Sequence, residues 1–324
     1  MRVLVCGGAG YIGSHMLAHL AAAGHEAVVF DNLSTGHRAA VDDAPLVEGD
    51  LLRPGDLEAA FAGGRFDAVM HFAARSLVAE SVRAPLAYYE NNVAGTLRLL
   101  QAMRGAGVER LVFSSTAAVY GEPRSDAIDE THPIAPINPY GASKAMVERM
   151  LADAAAGYGL RSVSLRYFNA AGAAPTGRIG ESHDPETHLI PNVLRAMRGE
   201  GHGLTVHGAD YPTRDGTCVR DYVHVDDLAA AHLAALDYMD AAPGAHAFNL
   251  GNGDGFSVLE VIAAARAVVG CEVPFTVGAR RPGDPAVLVA SSALARERLG
   301  WRPAYTDIGE IIATAWAWHR EPRY

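Results

Sequence analysis

Tyr140 and Lys144 stand four apart in the stretch Tyr140-Gly-Ala-Ser-Lys144, and on a helix that spacing sets both on one face. An ammonium beside a phenol favours the phenolate and draws its pKa down from about 10. Such a phenolate is a general base for a hydroxyl group. Thr116 lies upstream, just after the apolar run Leu111–Ser115. A hydroxyl there is placed to donate to the reacting oxygen, with Ser114 and Ser115 as competing candidates.

A second pattern supplies a partner for that base. The run Val3–Cys6 leads into Gly7-Gly-Ala-Gly10-Tyr-Ile-Gly13 and then into a helical pattern. Glycines at this spacing let the main chain turn tightly and approach a pyrophosphate, which the free N–H groups of the next helix then receive. The position of the motif, at the first strand and opening a helix, is what makes it specific for a dinucleotide. Asp31 ends the second strand pattern, 18 positions after Gly13. A carboxylate there accepts from ribose hydroxyls and repels a 2′-phosphate, so NAD is expected rather than NADP. The cationic nicotinamide would reinforce Lys144 in favouring the phenolate. Asp50-Leu51 is placed to meet the adenine edge, with a plain surface loop as the competing reading.

The elements that must position these groups are legible in outline. Strands are expected at Val3–Cys6, Ala27–Phe30, Phe66–His71, Arg110–Ser115 and Leu160–Tyr167. Helices are expected at Ile12–Ala23, Asn92–Gly105 and Tyr140–Ala156. Apolar strand runs alternating with helices mean an α/β fold with a doubly wound parallel sheet, the Rossmann arrangement, buried on both faces. After Asn169 the texture changes, with Gly-, Pro- and polar-rich loops at Ala170–Thr187 and His207–Arg220. Helical patterns return at Ile190–Arg198, Asp226–Asp240, Val258–Val269 and Ile308–Trp318. The division expected is a dinucleotide-binding domain, 1–169, and a smaller C-terminal α/β substrate lobe, 170–324, with segments near 221–251 returning to the first.

The formal net charge of -10 argues against nucleic acid, which rewards a basic face, while leaving room for a diphosphate held by a few arginines. Cys6, Cys218 and Cys271 are far apart and form no C-x-x-C pair, which reads as a reducing compartment. With no signal-peptide pattern and no apolar stretch long enough for a membrane span, a cytoplasmic protein is expected. His15 and His19 are four apart on a helix but lack the glutamate of a zinc motif, so no metal is expected there. The other histidines suggest no role. Asp226-Asp227 reads as the capped start of a helix. Trp301, Trp316 and Trp318 read as packing in the C-terminal lobe.

Taken in order, these segments resemble the extended short-chain dehydrogenase/reductase family, and within it the UDP-glucose 4-epimerases, over nearly the whole chain. The matching stretches include Gly7–His15, Asp31-Asn32-Leu33, His71-Phe72-Ala73-Ala74, Tyr88–Val93, Phe113–Gly121 and Pro139–Lys144. They continue through Leu165–Asn169, Gly208–Pro212, Asp215–Thr217, Val219–Val225, Asn249–Gly251 and Arg280–Asp284.

The resemblance implies Tyr140 as base, Lys144 as its partner and Thr116 as hydroxyl donor. It implies cofactor contacts from Gly7, Gly10, Tyr11, Ile12, Gly13, Asp31, Asn32, Asp50, Leu51, Phe72, Ala73, Ala74, Asn92, Ser114, Tyr140, Lys144 and Tyr167. For a UDP-sugar it implies Thr116, Tyr140, Asn169, His188, Leu189, His207, Arg220, Arg281, Asp284 and Leu288. The implied reaction oxidises C4 of the sugar and returns hydride to the opposite face, interconverting UDP-galactose and UDP-glucose. A homodimer is implied, through helices around Ala87–Met103 and Ala142–Ala156.

Four positions depart from the family pattern. Ser76 stands for a common lysine, His188 for an asparagine, His207 for a phenylalanine against uracil, and Ala118 for a threonine. A nucleotide-sugar 4,6-dehydratase would carry Asp-Glu where this chain has Ala117-Ala118. Epimerases of UDP-glucuronate, UDP-xylose or UDP-N-acetylglucosamine stay open as alternatives. A regulatory NAD sensor would not need the Tyr–Lys pair.

Overall fold

The computed structural model describes residues 1–125, 127–200, 203–281 and 284–324. Seven parallel strands form the central sheet: β1 (Arg2–Cys6), β2 (Glu26–Asp31), β3 (Leu46–Glu48), β4 (Ala68–His71), β5 (Arg110–Ser114), β6 (Arg161–Arg166) and β7 (Ala245–Asn249). Their spatial order is β3-β2-β1-β4-β5-β6-β7. The first strand shows why the sequence takes this form. Val3 and Val5 pack on one face with Met16 and Leu20, while Leu4 and Cys6 pack on the other with Leu99 and Val147. A period of two with apolar residues at every position is the signature of a strand covered twice.

Eight helices of nine residues or more are present among the described residues: α1 (Tyr11–Ala22), α2 (Pro54–Ala62), α3 (Gly95–Gly105), α4 (Pro139–Tyr158), α5 (Leu189–Met197), α6 (Val225–Ala241), α7 (Val258–Val269) and α8 (Ile308–Arg320). Helices α1 and α6 cover one face of the sheet; α2, α3 and α4 cover the other. Helices α5, α7 and α8 share a separate core built on Val193, Val261 and Ile311. Short strands serve this second core: 204–207 beside 275–278, 169–171 beside 222–224, and 219–220 between 256–257 and 287–288.

Three features differ from the sequence expectation. The helix α2 was not foreseen, because nine residues with a Pro-Gly start leave little periodic signal. The helix predicted from Asn92 begins earlier, as a wide π-type turn over Tyr89–Ala94 that runs into α3. Trp301 does not pack in the C-terminal lobe. It lies in the core beneath the sheet with Leu228 and Leu236, and its indole donates to the Asp227 carbonyl at 2.9 Å.

Candidate active site

The glycine turn joins β1 to α1. Gly7 has a φ of +82°, and a Cβ on it would stand 2.5 Å from the Ala73 main-chain nitrogen, so the residue must be glycine for both reasons. A Cβ on Gly13 would collide with the Gly7 carbonyl oxygen. At Gly10 the space is open apart from one contact at 3.4 Å, and no side chain caps the start of α1. The turn therefore presents a bare helix N-terminus beside a narrow backbone cradle, which fits a pyrophosphate. Asp31, at the end of β2, is buried. Its two oxygens accept from Ala9 N (2.9 Å) and Leu33 N (2.8 Å), which oppose the upward push of burial on its pKa. Asn32 donates to Asp50 at 3.2 Å. Leu51 turns its side chain into the core under α3, so an adenine contact there falls to its main chain.

Ala73 N donates to the Cys6 carbonyl at 3.0 Å, holding the Phe72-Ala73-Ala74 segment against the glycine turn. Phe72 packs on His232, ring centres 4.8 Å apart. Tyr11 donates to the Gly172 carbonyl at 2.6 Å, and Ile12 packs against the core.

The Tyr–Lys pair comes from α4. Asn138 caps this helix by accepting from Gly141 N at 2.8 Å, and Pro139 occupies its first turn; the two devices fix where it begins. Tyr140 is thereby held in the first turn, half-buried, with Lys144 one turn deeper and 3% exposed. Thr116 follows β5 and starts a 3₁₀ turn, accepting from Ala118 N at 3.1 Å. Main-chain bonds from Ser115 to Leu165 and from Ala117 to Tyr167 pin this segment alongside β6. The competing hydroxyls are engaged elsewhere: Ser115 donates to Glu148 at 2.6 Å, and Ser114 is bonded to the Tyr167 hydroxyl. Of the three, Thr116 is the hydroxyl close enough to Tyr140 to favour its phenolate.

The electrostatics correct one expectation. Lys144 was expected to draw the Tyr140 phenol down; here burial pushes that phenol up, and only the Thr116 hydroxyl opposes it. The Lys144 ammonium donates to the Ser114 carbonyl at 2.8 Å and lies 4.7 Å above the Phe113 ring. Burial lowers its pKa to about 7, with Glu148 opposing. Burial and the nearby Lys144 charge hold His71 neutral, near 3.

Asn92, in the π-type turn, is spent on positioning. It accepts from Arg75 N at 2.9 Å and donates to Arg75 O at 3.0 Å and to Ser143 Oγ at 2.9 Å. It thus ties the loop after β4 to α4 between Tyr140 and Lys144. The exposed Ser76 follows Arg75, which pairs with Glu80 at 3.3 Å.

On the other lobe, Asn169 donates to the Asp221 carbonyl at 2.8 Å. Arg220 pairs with Asp284, and Arg281 is exposed nearby, close enough with Arg220 to lower the Cys218 thiol against burial. Pro282 and Gly283 of that motif lie outside the described residues. Leu288 is registered beside Arg220 and packs against the Ala117–Tyr120 segment, which brings it to the Thr116 side. His207 is half-buried and 3.3 Å from the Ala279 carbonyl. Leu189 packs into the lobe core, and the His188 ring is turned onto Glu181. Sequence reading missed the buried Arg166–Glu148 ion pair, in which Arg166 also donates to Tyr120 at 2.7 Å. The same Glu148 accepts from Ser115, but no local motif marks it. His15 bonds Asp226 at 2.7 Å, so that pair ties α1 to α6.

A family model described as the NAD dependent epimerase/dehydratase family matches residues 3–251. A UDP-glucose 4-epimerase of Lacticaseibacillus casei is 53% identical over 98% of this chain and 97% of its own. One of Streptomyces lividans is 52% identical over 98% and 96%. Among solved structures, UDP-glucose 4-epimerase from Brucella ovis in complex with NAD superposes with a TM-score of 0.95 at 50% identity, covering 97% of each chain. That from Bifidobacterium longum in complex with NAD+ and UDP gives 0.94 at 38%, covering 99% of each. No helix of the described residues is long and apolar enough to cross a membrane.

Proposed function

The chain belongs to the NAD dependent epimerase/dehydratase family, and from that premise we propose that it interconverts UDP-galactose and UDP-glucose by inverting C4 of the sugar. The observation that carries the reading is the meeting of Tyr140, Thr116 and Lys144 at the carboxyl ends of β5 and β6, on the same sheet as an uncapped helix start framed by Gly7 and Gly13. Bound NAD supplies a hydride acceptor and donor, so that C4 passes through a ketone with no net redox change.

The chain's own residues do the rest. Gly7, Gly10 and Gly13 open the cradle for the diphosphate of NAD, and Asp31 sits where the adenosine ribose would meet a carboxylate. Tyr140 takes the proton of the 4-hydroxyl and later returns it. Thr116 is placed to donate to the tyrosine oxygen, and its nearness favours the ionised form. Lys144 supplies a positive charge within the same pocket, and its ties to Ser114 fix the pocket's floor. Arg220, Arg281, Asp284 and Asn169 are assigned to the UDP end, which must stay anchored while the sugar turns over.

The reading extends to the division of labour, with residues 1–169 and the returning β7 and α6 serving NAD and the remainder of 170–324 serving the UDP-sugar. It includes a homodimer, a cytoplasmic setting and a place in galactose metabolism. The dimer is supported by apolar side chains left open on neighbouring elements: Val82, Leu86, Leu97 and Met146 are 62%, 79%, 47% and 46% exposed. Leu97 and Met146 lie on the helices that sequence reading set at the seam, Val82 and Leu86 on the short helices just before the first of them, and such exposure suits a partner's surface.

The test is incubation of the purified protein with UDP-galactose, with and without added NAD, and a coupled dehydrogenase reading UDP-glucose. Product establishes the reaction. Absence of product in both arms overturns the reading and favours the other UDP-sugars named above.

A further inference from the structure

In the loop that carries His188, four side chains converge on a common centre. Glu181, His183, Glu186 and His188 each offer one ligand atom, and these atoms all lie within 4.8 Å of one another. His183 Nδ1 stands 3.1 Å from Glu181 Oε1 and 3.8 Å from Glu186 Oε2. His188 Nδ1 touches the same Glu181 oxygen and lies 3.7 Å from Glu186 Oε1. Both imidazoles thus turn the same nitrogen between the same two carboxylates. Around a tetrahedral zinc ion with ligand bonds of roughly 2.0–2.2 Å, donor atoms would stand roughly 3.3–3.6 Å apart. The separations of 3.1, 3.8 and 3.7 Å bracket that edge, while the direct His188–Glu181 contact must open to admit an ion.

A second observation is independent of this spacing. The Glu186 side chain is 1% exposed, and its Oε2 is buried with no hydrogen-bond partner among the described residues. Its Oε1 accepts from Thr187 N and His188 N at 2.8 and 2.9 Å, which fixes the carboxylate so that Oε2 faces His183. A buried carboxylate oxygen left without a donor is costly unless a cation meets it. The surroundings are well braced: Trp318 donates to the Glu181 carbonyl at 2.8 Å, and Tyr11 meets the His183 ring edge-on. The titratable groups facing the cluster are Tyr11 on α1 and His319 on α8, which sense the charges of Glu181 and Glu186, and Tyr324 beside Tyr11.

We propose that Glu181, His183, Glu186 and His188 bind one divalent transition-metal ion of the zinc class, clamping the loop that enters α5. Imidazole with carboxylate suits such ions, and four protein ligands leave no open position, which marks a structural rather than a catalytic ion. The ion takes the place of the protons that the imidazoles share with the carboxylates, so binding releases protons.

The test uses the full chain after a chelator wash, titrated with Co²⁺ and followed by the visible absorption of four-coordinate cobalt; a parallel sample is dialysed against Zn²⁺ and analysed for metal. One ion per chain is expected. His183→Asn and Glu186→Gln should each weaken binding about 100-fold or more, since even changes to groups behind the ligands cost 10–100-fold. Circular dichroism and thermal melting check that each variant folds. Anomalous scattering at the zinc edge from crystals of the unaltered chain should place the ion among the four residues, and it decides the matter even if a variant fails to fold. Equal cobalt affinity in the unaltered chain and a folded variant, or an anomalous peak only at other histidines, would overturn the proposal.

Discussion

Lys144 Nζ donates to the main-chain oxygen of Ser114 at 2.8 Å, across the gap between α4 and the end of β5. The lysine is thus a strut as well as a charge. Lys144→Met should lower kcat by about 100-fold or more, in the range that acid–base groups contribute. It should also strand the Ser114 carbonyl, seen as a lower melting temperature. A variant with lowered stability and unchanged kcat would mean that Lys144 is a strut only.

Tyr140 and Thr116 should separate cleanly in kinetics. Tyr140→Phe removes the proton-transfer group and should cost about 10²–10⁴-fold in kcat with little change in KM. Thr116→Val removes the one hydroxyl that opposes the upward push of burial on the phenol. Its activity should fall less, and the alkaline shift of its pH–rate profile should exceed that of the unaltered chain. Near-normal turnover by Tyr140→Phe would defeat the mechanism.

Arg220 pairs with Asp284 next to the exposed Arg281. Arg220→Met should raise KM for the UDP-sugar by about 10–100-fold, the scale of one lost charged hydrogen bond at about 1.5–3 kcal/mol. Inhibition by UDP should weaken in parallel. A change in kcat alone would move Arg220 away from the diphosphate.

Asp221 gives a pH dependence of stability. Burial pushes its carboxyl up to about 6, although Asn252, Ala290 and Gly253 donate main-chain N–H bonds to it. The folded value lies above the unfolded one of about 3.9. Its contribution is therefore complete below about pH 4 and is lost as pH rises through about 6. Asp221→Asn should flatten that part of the melting-temperature profile. An unchanged slope between pH 4 and 7 would show that the carboxyl titrates alike in both states.

The sheet and the glycine turn were legible because their signals are local. Val3 to Cys6 are all apolar, and Gly7 and Gly13 are required by contacts within the same turn and with Ala73. Thr116 was singled out with two rivals, and only three-dimensional structure shows Ser114 and Ser115 bonded elsewhere. The behaviour of Lys144 was not legible, since the Ser114 carbonyl lies 30 residues away along the chain. Asn92 was marked by resemblance, but its bonds to Arg75 and Ser143 depend on a π-type turn that no hydrophobic period announces. His183 was given no role and His188 was read as a substrate contact; the repeated Glu-x-His of Glu181–His183 and Glu186–His188 stands in the sequence, but that its four side chains meet depends on how the loop folds back on itself.

The last strand of the sheet, β7, is made of residues 245–249 and lies against β6, formed by residues 161–166. A ribosome must therefore add the whole 170–244 stretch before β6 gains its outer neighbour. Until then β6 offers an open edge of main-chain hydrogen-bonding groups to any other chain nearby, a setting for mispairing during synthesis. A fragment cut at 169 carries that same open edge permanently and would be expected to aggregate, so cutting the chain there would not release the NAD-binding half as a well-behaved piece.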